Sequence, residues 1–142
     1  MTAMAQLESG LYTIQSGDAR IGRARHEALD LSPKAVFANT DDQDAVWLVE
    51  AYPNNHYRLY AKGAPTAVED LQPAGPLVSL LLDQGDAPEW ELIPVDGVPD
   101  TYRIKSPQGS SWTVLEPGRQ SRIEVIPVLE GSTAFTFARI GR

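Results

Sequence analysis

Tyr12, Tyr57 and Tyr102 stand at equal intervals of 45 residues. They sit in three alignable stretches, GLYTIQSGDARIG, HYRLYAKGAPTAV and TYRIKSPQGSSWTV. In each case a second aromatic opens a strand-like run 35, 33 and 33 residues after its tyrosine: Trp47 in VWLVEA, Trp90 in EWELIPV and Phe135 in AFTFARI. A period of this size is the signature of one supersecondary unit repeated along the chain, each copy needing its neighbours to bury its apolar face. The fold must therefore accommodate three copies of one unit.

The unit is made of strands. Eleven prolines and 11 glycines leave few windows long enough for a helix,. Runs rich in β-branched and aromatic residues recur instead, among them LYTIQ, YRLYA, YRIK and WTVL,. Turn signals such as SGD, NTDD, YPNN, AKGAP, QPAGP, DQGD, VDG, SPQG, EPG and EGS separate them,. Each copy also holds a third apolar run, AVFA, LVSLLL or IEVIPV, preceded by a short strand such as RIGRA or SWTVL, which makes four strands per copy. A propeller typically takes four to eight four-stranded blades. Three copies point instead to a closed barrel capped by three hairpins, an all-β fold of the β-trefoil type that leaves no sheet edge open. One domain, residues 1–142, is expected, with repeats at about 9–54, 55–99 and 100–142. Tyr12, Tyr57, Tyr102, Leu11, Leu59, Ile104, Val49, Leu92 and Phe137 are the expected core.

Composition excludes several functions. With 42% apolar residues in 142, the chain has enough to bury a core,. It has no cysteine, so disulfides and thiolate metal sites are ruled out,. Nineteen acidic against 12 basic side chains give a net charge of -7, which repels phosphate backbones and anionic lipid,. Nucleic acid and membranes are not expected partners. The opening MTAMAQLESGLYTIQ has no basic segment followed by an apolar run, and a cytoplasmic monomer is expected,.

Motifs for catalysis are also missing. The two histidines, His26 and His56, belong to no metalloprotease, nucleophile-elbow, P-loop or dinucleotide pattern,. Asp41 and Asp42 fall in the turn NTDDQD, read as a solvated connection, and His56 in PNNHYR is read as part of a polar turn. An enzyme is not expected, nor is a metal or cofactor. Trefoil lectins of the ricin-B type resemble one another through a Gln-x-Trp in each repeat, but the matching places here read QDAVW, APEW and STAF. A protein inhibitor fits better. Loops anchored at both ends by barrel strands are preordered, so docking costs them little entropy. An Arg or Lys on such a loop suits a trypsin-like protease, whose primary specificity pocket ends in a carboxylate.

The cations cluster. Arg20, Arg23 and Arg25 lie within six positions, and the segment RARHEALDLSPK carries Lys34 close behind. The opening ESGLYTIQ, the RIGR strand, the cysteine-free three-fold pattern ending in FTF and the overall length resemble the fungal β-trefoil protease inhibitors of mushrooms, in particular the mycospins. The resemblance covers essentially the whole chain. It implies a trypsin inhibitor whose reactive Arg or Lys lies on one exposed loop, the loop after the second strand of the first repeat being one such location.

Carried onto this sequence, the loop is RARHEALDLSPK. Arg25 is the first choice for the specificity residue, because it lies beyond the expected strand beside His26 and Glu27. Arg23 is second, followed by the small residue Ala24. Arg119 in LEPGRQSRIEV and Lys34 after Pro33 are alternative reactive residues. Asn39, Asn54 and Asn55 are candidate braces for a loop. Relatives of this fold inhibit cysteine proteases through glycine-containing loops of the first repeat, for which Gly17 and Gly22 are available, so papain-type inhibition and sugar binding are the alternative readings.

Overall fold

The computed structural model describes residues 7–127 and 133–140. The expected turn EGS, at 130–132, lies, like MTAMAQ, outside the described residues. Thirteen strands run in chain order as β1 (Gly10–Ser16), β2 (Ala19–Arg23), β3 (Lys34–Ala38), β4 (Trp47–Tyr52), β5 (His56–Ala61), β6 (Ala64–Val68), β7 (Gly75–Ser79), β8 (Trp90–Pro94), β9 (Thr101–Lys105), β10 (Ser111–Thr113), β11 (Ser121–Arg122), β12 (Glu124–Ile126) and β13 (Phe135–Arg139). Short 3-10 turns at Glu69–Leu71 and Gln84–Asp86 are the remaining regular elements among the described residues. Among the described residues no helix is long and apolar enough to cross a membrane.

Six strands close on themselves. β1 pairs with β4, β4 with β5, β5 with β8, β8 with β9, β9 with β13 and β13 with β1, all antiparallel. The remaining strands pair as β2 with β3, β6 with β7 and β10 with β12. These pairs are tied to one another through β3–β7, β7–β12 and β3–β11. Every strand except the two-residue β11 has at least two partners, which protects an all-β chain from edge-to-edge association,.

The 45-residue spacing becomes a register. Tyr12 lies opposite Trp47, Tyr57 opposite Trp90 and Tyr102 opposite Phe135. Ile14 likewise faces Phe137, Val49 faces Leu59 and Leu92 faces Ile104. All twelve of these side chains are buried. Side chains alternate across a strand, so a tyrosine that points inward sends its neighbour out. Leu11 is therefore 49% exposed, against the expectation that it joins the core, and Ile14 occupies the inward place.

The tryptophans join the core to the hairpins. Trp47 Nε1 donates to the Ile21 carbonyl at 2.8 Å, and Trp90 Nε1 donates to Thr66 Oγ1 at 3.1 Å. Trp112 of β10 lies against both indoles and meets Phe135 edge-on, with ring centroids 5.4 to 5.8 Å apart. Burial of each of these rings contributes roughly 1.5–3 kcal/mol or more. This rigid interior fixes the base of the β2–β3 hairpin, from which the loop at residues 24–33 projects.

Candidate functional site

The loop begins where β2 ends, and Arg23 is the last residue of that strand. Its side chain turns inward and is only 7% exposed. Nε donates to Glu27 Oε2 at 3.0 Å, one terminal nitrogen to Glu27 Oε1 at 2.6 Å, and the other to the Ala61 carbonyl at 3.1 Å. A guanidinium held by both oxygens of one carboxylate is among the stronger ion-pair geometries. Arg23 is thus a structural pivot and not an exposed cation at the mouth of the loop.

Further bonds fix the backbone on either side. Thr40 Oγ1 donates to the Arg23 carbonyl at 2.7 Å, Lys62 Nζ to the Ala24 carbonyl at 2.8 Å, and the Arg25 amide to Asp41 Oδ1 at 2.9 Å. Downstream, Lys34 Nζ donates to the Ala28 carbonyl at 2.7 Å and to Asp30 Oδ1 at 2.8 Å. Asp30 also accepts from the amide and hydroxyl of Ser32. The loop therefore has fixed points at Arg23, Ala24, Arg25, Glu27, Ala28 and Asp30. Between them Arg25 and His26 are exposed, and no described residue accepts from the Arg25 guanidinium or donates to its carbonyl oxygen.

Charge reinforces this order. Burial pushes the Glu27 carboxyl up, but the hydrogen bond and charge of Arg23, with Lys62 and Lys34 behind, outweigh it and hold the group below its ordinary value. The hydrogen bond from Lys34, then those from Ser32, hold Asp30 well below the usual carboxylate range.

The other cations sit differently. Lys34 opens β3 and is 6% exposed, its ammonium spent on Ala28 and Asp30. Arg119 is exposed at 73%, but it pairs with Glu116 at 3.3 Å and its carbonyl accepts from Asn39 Nδ2 at 2.9 Å. Asn39 holds the Pro117 carbonyl as well, at 2.7 Å, so of the three asparagines it is this one that braces a loop, and the loop is that of Arg119. Arg20 is engaged with the Gln43 carbonyl.

Three supports were not legible in sequence. The NTDDQD turn, read as a solvated connection, supplies Thr40 and Asp41 to the loop from 17 and 16 residues away. Lys62 comes from the β5–β6 turn, 38 residues from the carbonyl it holds. AKGAP marks this turn in the sequence, but the left-handed backbone of Lys62, φ 51, beside Gly63 is what aims the lysine. His56, read as a turn residue, is the first residue of β5 and lies 3.9 Å from Glu89. Gly22 is no loop glycine: it is buried in β2, where an added Cβ would lie 2.6 Å from the Ala45 methyl. Gly17 does turn a corner, with φ +58 and open space around it. Among the described residues no three acidic or histidine side chains are grouped to hold a metal.

Residues 4–137 match the model of the family described as Peptidase inhibitor I66. The chain belongs to that family. It is a family of protease inhibitors and not of enzymes, and a protease is the partner this membership implies. The chain is 33% identical over 111 residues to a serine protease inhibitor of Lentinula edodes, across 75% of this chain and 73% of that one. A proteinase inhibitor from Coprinopsis cinerea superimposes with a TM-score of 0.80 over 95% of this chain and 100% of its own, at 23% identity. A β-trefoil protein, BEL, superimposes with a TM-score of 0.64 over 96% of this chain and 97% of its own, at 14% identity. The likeness to mushroom protease inhibitors and the all-β architecture are thus common to sequence and structure.

Proposed function

We propose that this protein inhibits trypsin-like serine proteases by a substrate-like mechanism, with Arg25 entering the primary specificity pocket. The observation that carries this reading is the state of Arg25: an exposed guanidinium without a partner among the described residues, on a backbone pinned at the residue itself and at both flanks. A substrate-like residue needs two free groups. Its side chain must reach the pocket carboxylate, and its carbonyl oxygen must be open to the oxyanion hole. Arg25 meets both conditions. Arg119 meets the first only in part and fails the second, because Asn39 already holds its carbonyl. Arg23 and Lys34 are buried and paired.

The supporting scaffold is a single trefoil domain acting as a monomer, with repeats near 9–54, 55–99 and 100–142. Preorder of the loop keeps the scissile Arg25–His26 bond in one geometry, so contacts convert into affinity with little ordering cost. If that bond is cut, Arg23 on one side and Glu27 on the other remain joined by their ion pair, and the new ends stay close enough to rejoin. The chain's acidity favours encounter with cationic proteases, an effect that salt weakens. The papain-type reading loses support with Gly22 sealed inside β2.

The test is to incubate the protein with a catalytic amount of trypsin and locate any cut by mass spectrometry. Cleavage confined to Arg25–His26, reaching a stable mixture of intact and cut forms, is the expected result. Cleavage elsewhere, or complete digestion, contradicts it.

A further inference from the structure

Beyond Asp30 the loop runs into a second surface. Asp30 and Leu31 form one side of a groove of about 600 Å³, and Leu71, Leu82, Asp70, Asp83 and Asp86 belong to its other sides. Leu31, Leu71 and Leu82 are 59%, 53% and 55% exposed, an apolar cluster that the fold leaves more than half in water,. The backbone works against its own preference to present it. Asp70, Leu71 and Asp83 have φ values of 57, 54 and 53, a left-handed conformation in which leucine in particular is rare,. Strain of this kind, held in place by the surroundings, accumulates where a surface is used.

The rim carries one sign of charge. No lysine or arginine lines the groove. Lys34 compensates Asp30, whereas Asp70, Asp83 and Asp86 have no ion-pair partner among the described residues. An apolar floor with unpaired carboxylates suits a partner surface that is apolar at its centre and cationic around it.

We infer that this groove is a second contact surface for the same protease that takes Arg25, and that it rests on a cationic patch beside the enzyme's cleft. The inference depends on the substrate-like reading above. Continuity selects this occupant over any other. Leu31 lies six residues beyond Arg25, at most about 20 Å along an extended chain. An interface of about 800 Å² per partner is roughly 30 Å across, so one contact face can span both Arg25 and the groove edge at Leu31. With Arg25 in the pocket, Leu29 to Leu31 follow the leaving-group side of the cleft and carry the groove with them. The consequence is selectivity: two trypsins with equal pockets but opposite net charge are told apart.

Inhibition of a cationic and an anionic trypsin is measured at about 20 mM and about 500 mM salt. The proteins compared are the wild type, Leu71→Gly, Leu71→Ser/Leu82→Ser and Asp70→Asn/Asp83→Asn/Asp86→Asn. The leucine variants are expected to weaken inhibition of the cationic enzyme by about tenfold or more, chiefly through faster dissociation. The aspartate variant is expected to lose both the preference for the cationic enzyme and its salt dependence. Leu71→Gly separates binding from folding, because relief of the left-handed strain offsets the freedom that glycine adds to the unfolded chain, so the thermal midpoint stays near that of the wild type while inhibition weakens. Variants that inhibit both enzymes within about twofold of the wild type overturn the inference and leave the Arg25 reading intact. A dimer that dissociates in Leu71→Ser/Leu82→Ser, with inhibition unchanged, also overturns it and assigns the groove to a second copy of the chain. A wild type that inhibits neither trypsin overturns both readings together.

Discussion

Arg23 and Glu27 are joined by two hydrogen bonds, of 2.6 and 3.0 Å, and lie two residues to either side of Arg25. The pair sits beneath an exposed stretch and is itself shielded, with side-chain exposures of 7% and 17%. The third bond of the same guanidinium, to the Ala61 carbonyl, fixes the clasp to β5. One buried arginine thus determines where a neighbouring exposed arginine can be.

Breaking the clasp should convert a lasting inhibitor into a temporary one. Removing one partner of a buried ion pair costs about 3 kcal/mol, the lower end of the usual range being apt because Glu27 keeps some contact with water. Arg23→Met and Glu27→Gln should each lower the thermal midpoint and accelerate cutting at Arg25–His26, whereas initial trypsin inhibition persists. The charge-reversed pair Arg23→Glu/Glu27→Arg should recover part of the resistance. Time courses of trypsin activity with each variant check this, and equal lifetimes for all of them would refute the clasp.

Acid should open the loop before it unfolds the barrel. Glu27 titrates below its ordinary value of 4.5. A lowered folded-state pKa contributes stability that is fully present above the unfolded value and is lost as pH falls through the folded one. Asp30 has the same sign, with Lys34 as its main partner. The Arg23 Nε–H resonance should therefore be protected from exchange at pH 7 and lose protection below pH 4.5, ahead of the barrel amides. Protection that persists until global unfolding contradicts the expectation.

The three buried indoles should respond differently to phenylalanine. Trp47 and Trp90 donate to Ile21 and Thr66, so their replacement strands an acceptor in addition to leaving space. Trp112 Nε1 is buried without an acceptor among the described residues, and removing it relieves an unsatisfied donor. Trp112→Phe should cost less than Trp47→Phe or Trp90→Phe by about 1 kcal/mol. Urea unfolding of the three variants gives the comparison.

Gly22 should tolerate no side chain, for reasons of packing alone. A Cβ there meets the Ala45 methyl at 2.6 Å, and overpacking of this kind costs about 1–3 kcal/mol. Gly22→Ala should lower the thermal midpoint and leave trypsin inhibition of the folded fraction unchanged. Papain activity should be unaffected by either protein.

Much of the fold could be read from spacing. The equal intervals of Tyr12, Tyr57 and Tyr102 are a property of the chain, and the register that sets each opposite Trp47, Trp90 or Phe135 follows once a barrel closes. Leu11 was misplaced because apolarity alone does not say which face of a strand a residue takes, and Tyr12 takes the inner one. At the loop, composition identified the cationic segment and the expected strand end put Arg25 ahead of Arg23, but neither revealed that Arg23 and Lys34 are buried. The difference between Arg23 and Arg25 depends on Glu27, Ala61, Lys62, Thr40 and Asp41, and four of these five come from other parts of the chain. Such contacts exist only after folding, so no local pattern announces them.

On the substrate-like reading Arg25 alone supplies the specificity residue. The most direct test of this is titration of active trypsin with the wild type, Arg25→Asn and Arg119→Asn, with circular dichroism confirming that each is folded. Loss of inhibition by about a thousandfold or more in Arg25→Asn, with Arg119→Asn equal to the wild type, is the predicted result. Undiminished inhibition by Arg25→Asn would contradict it.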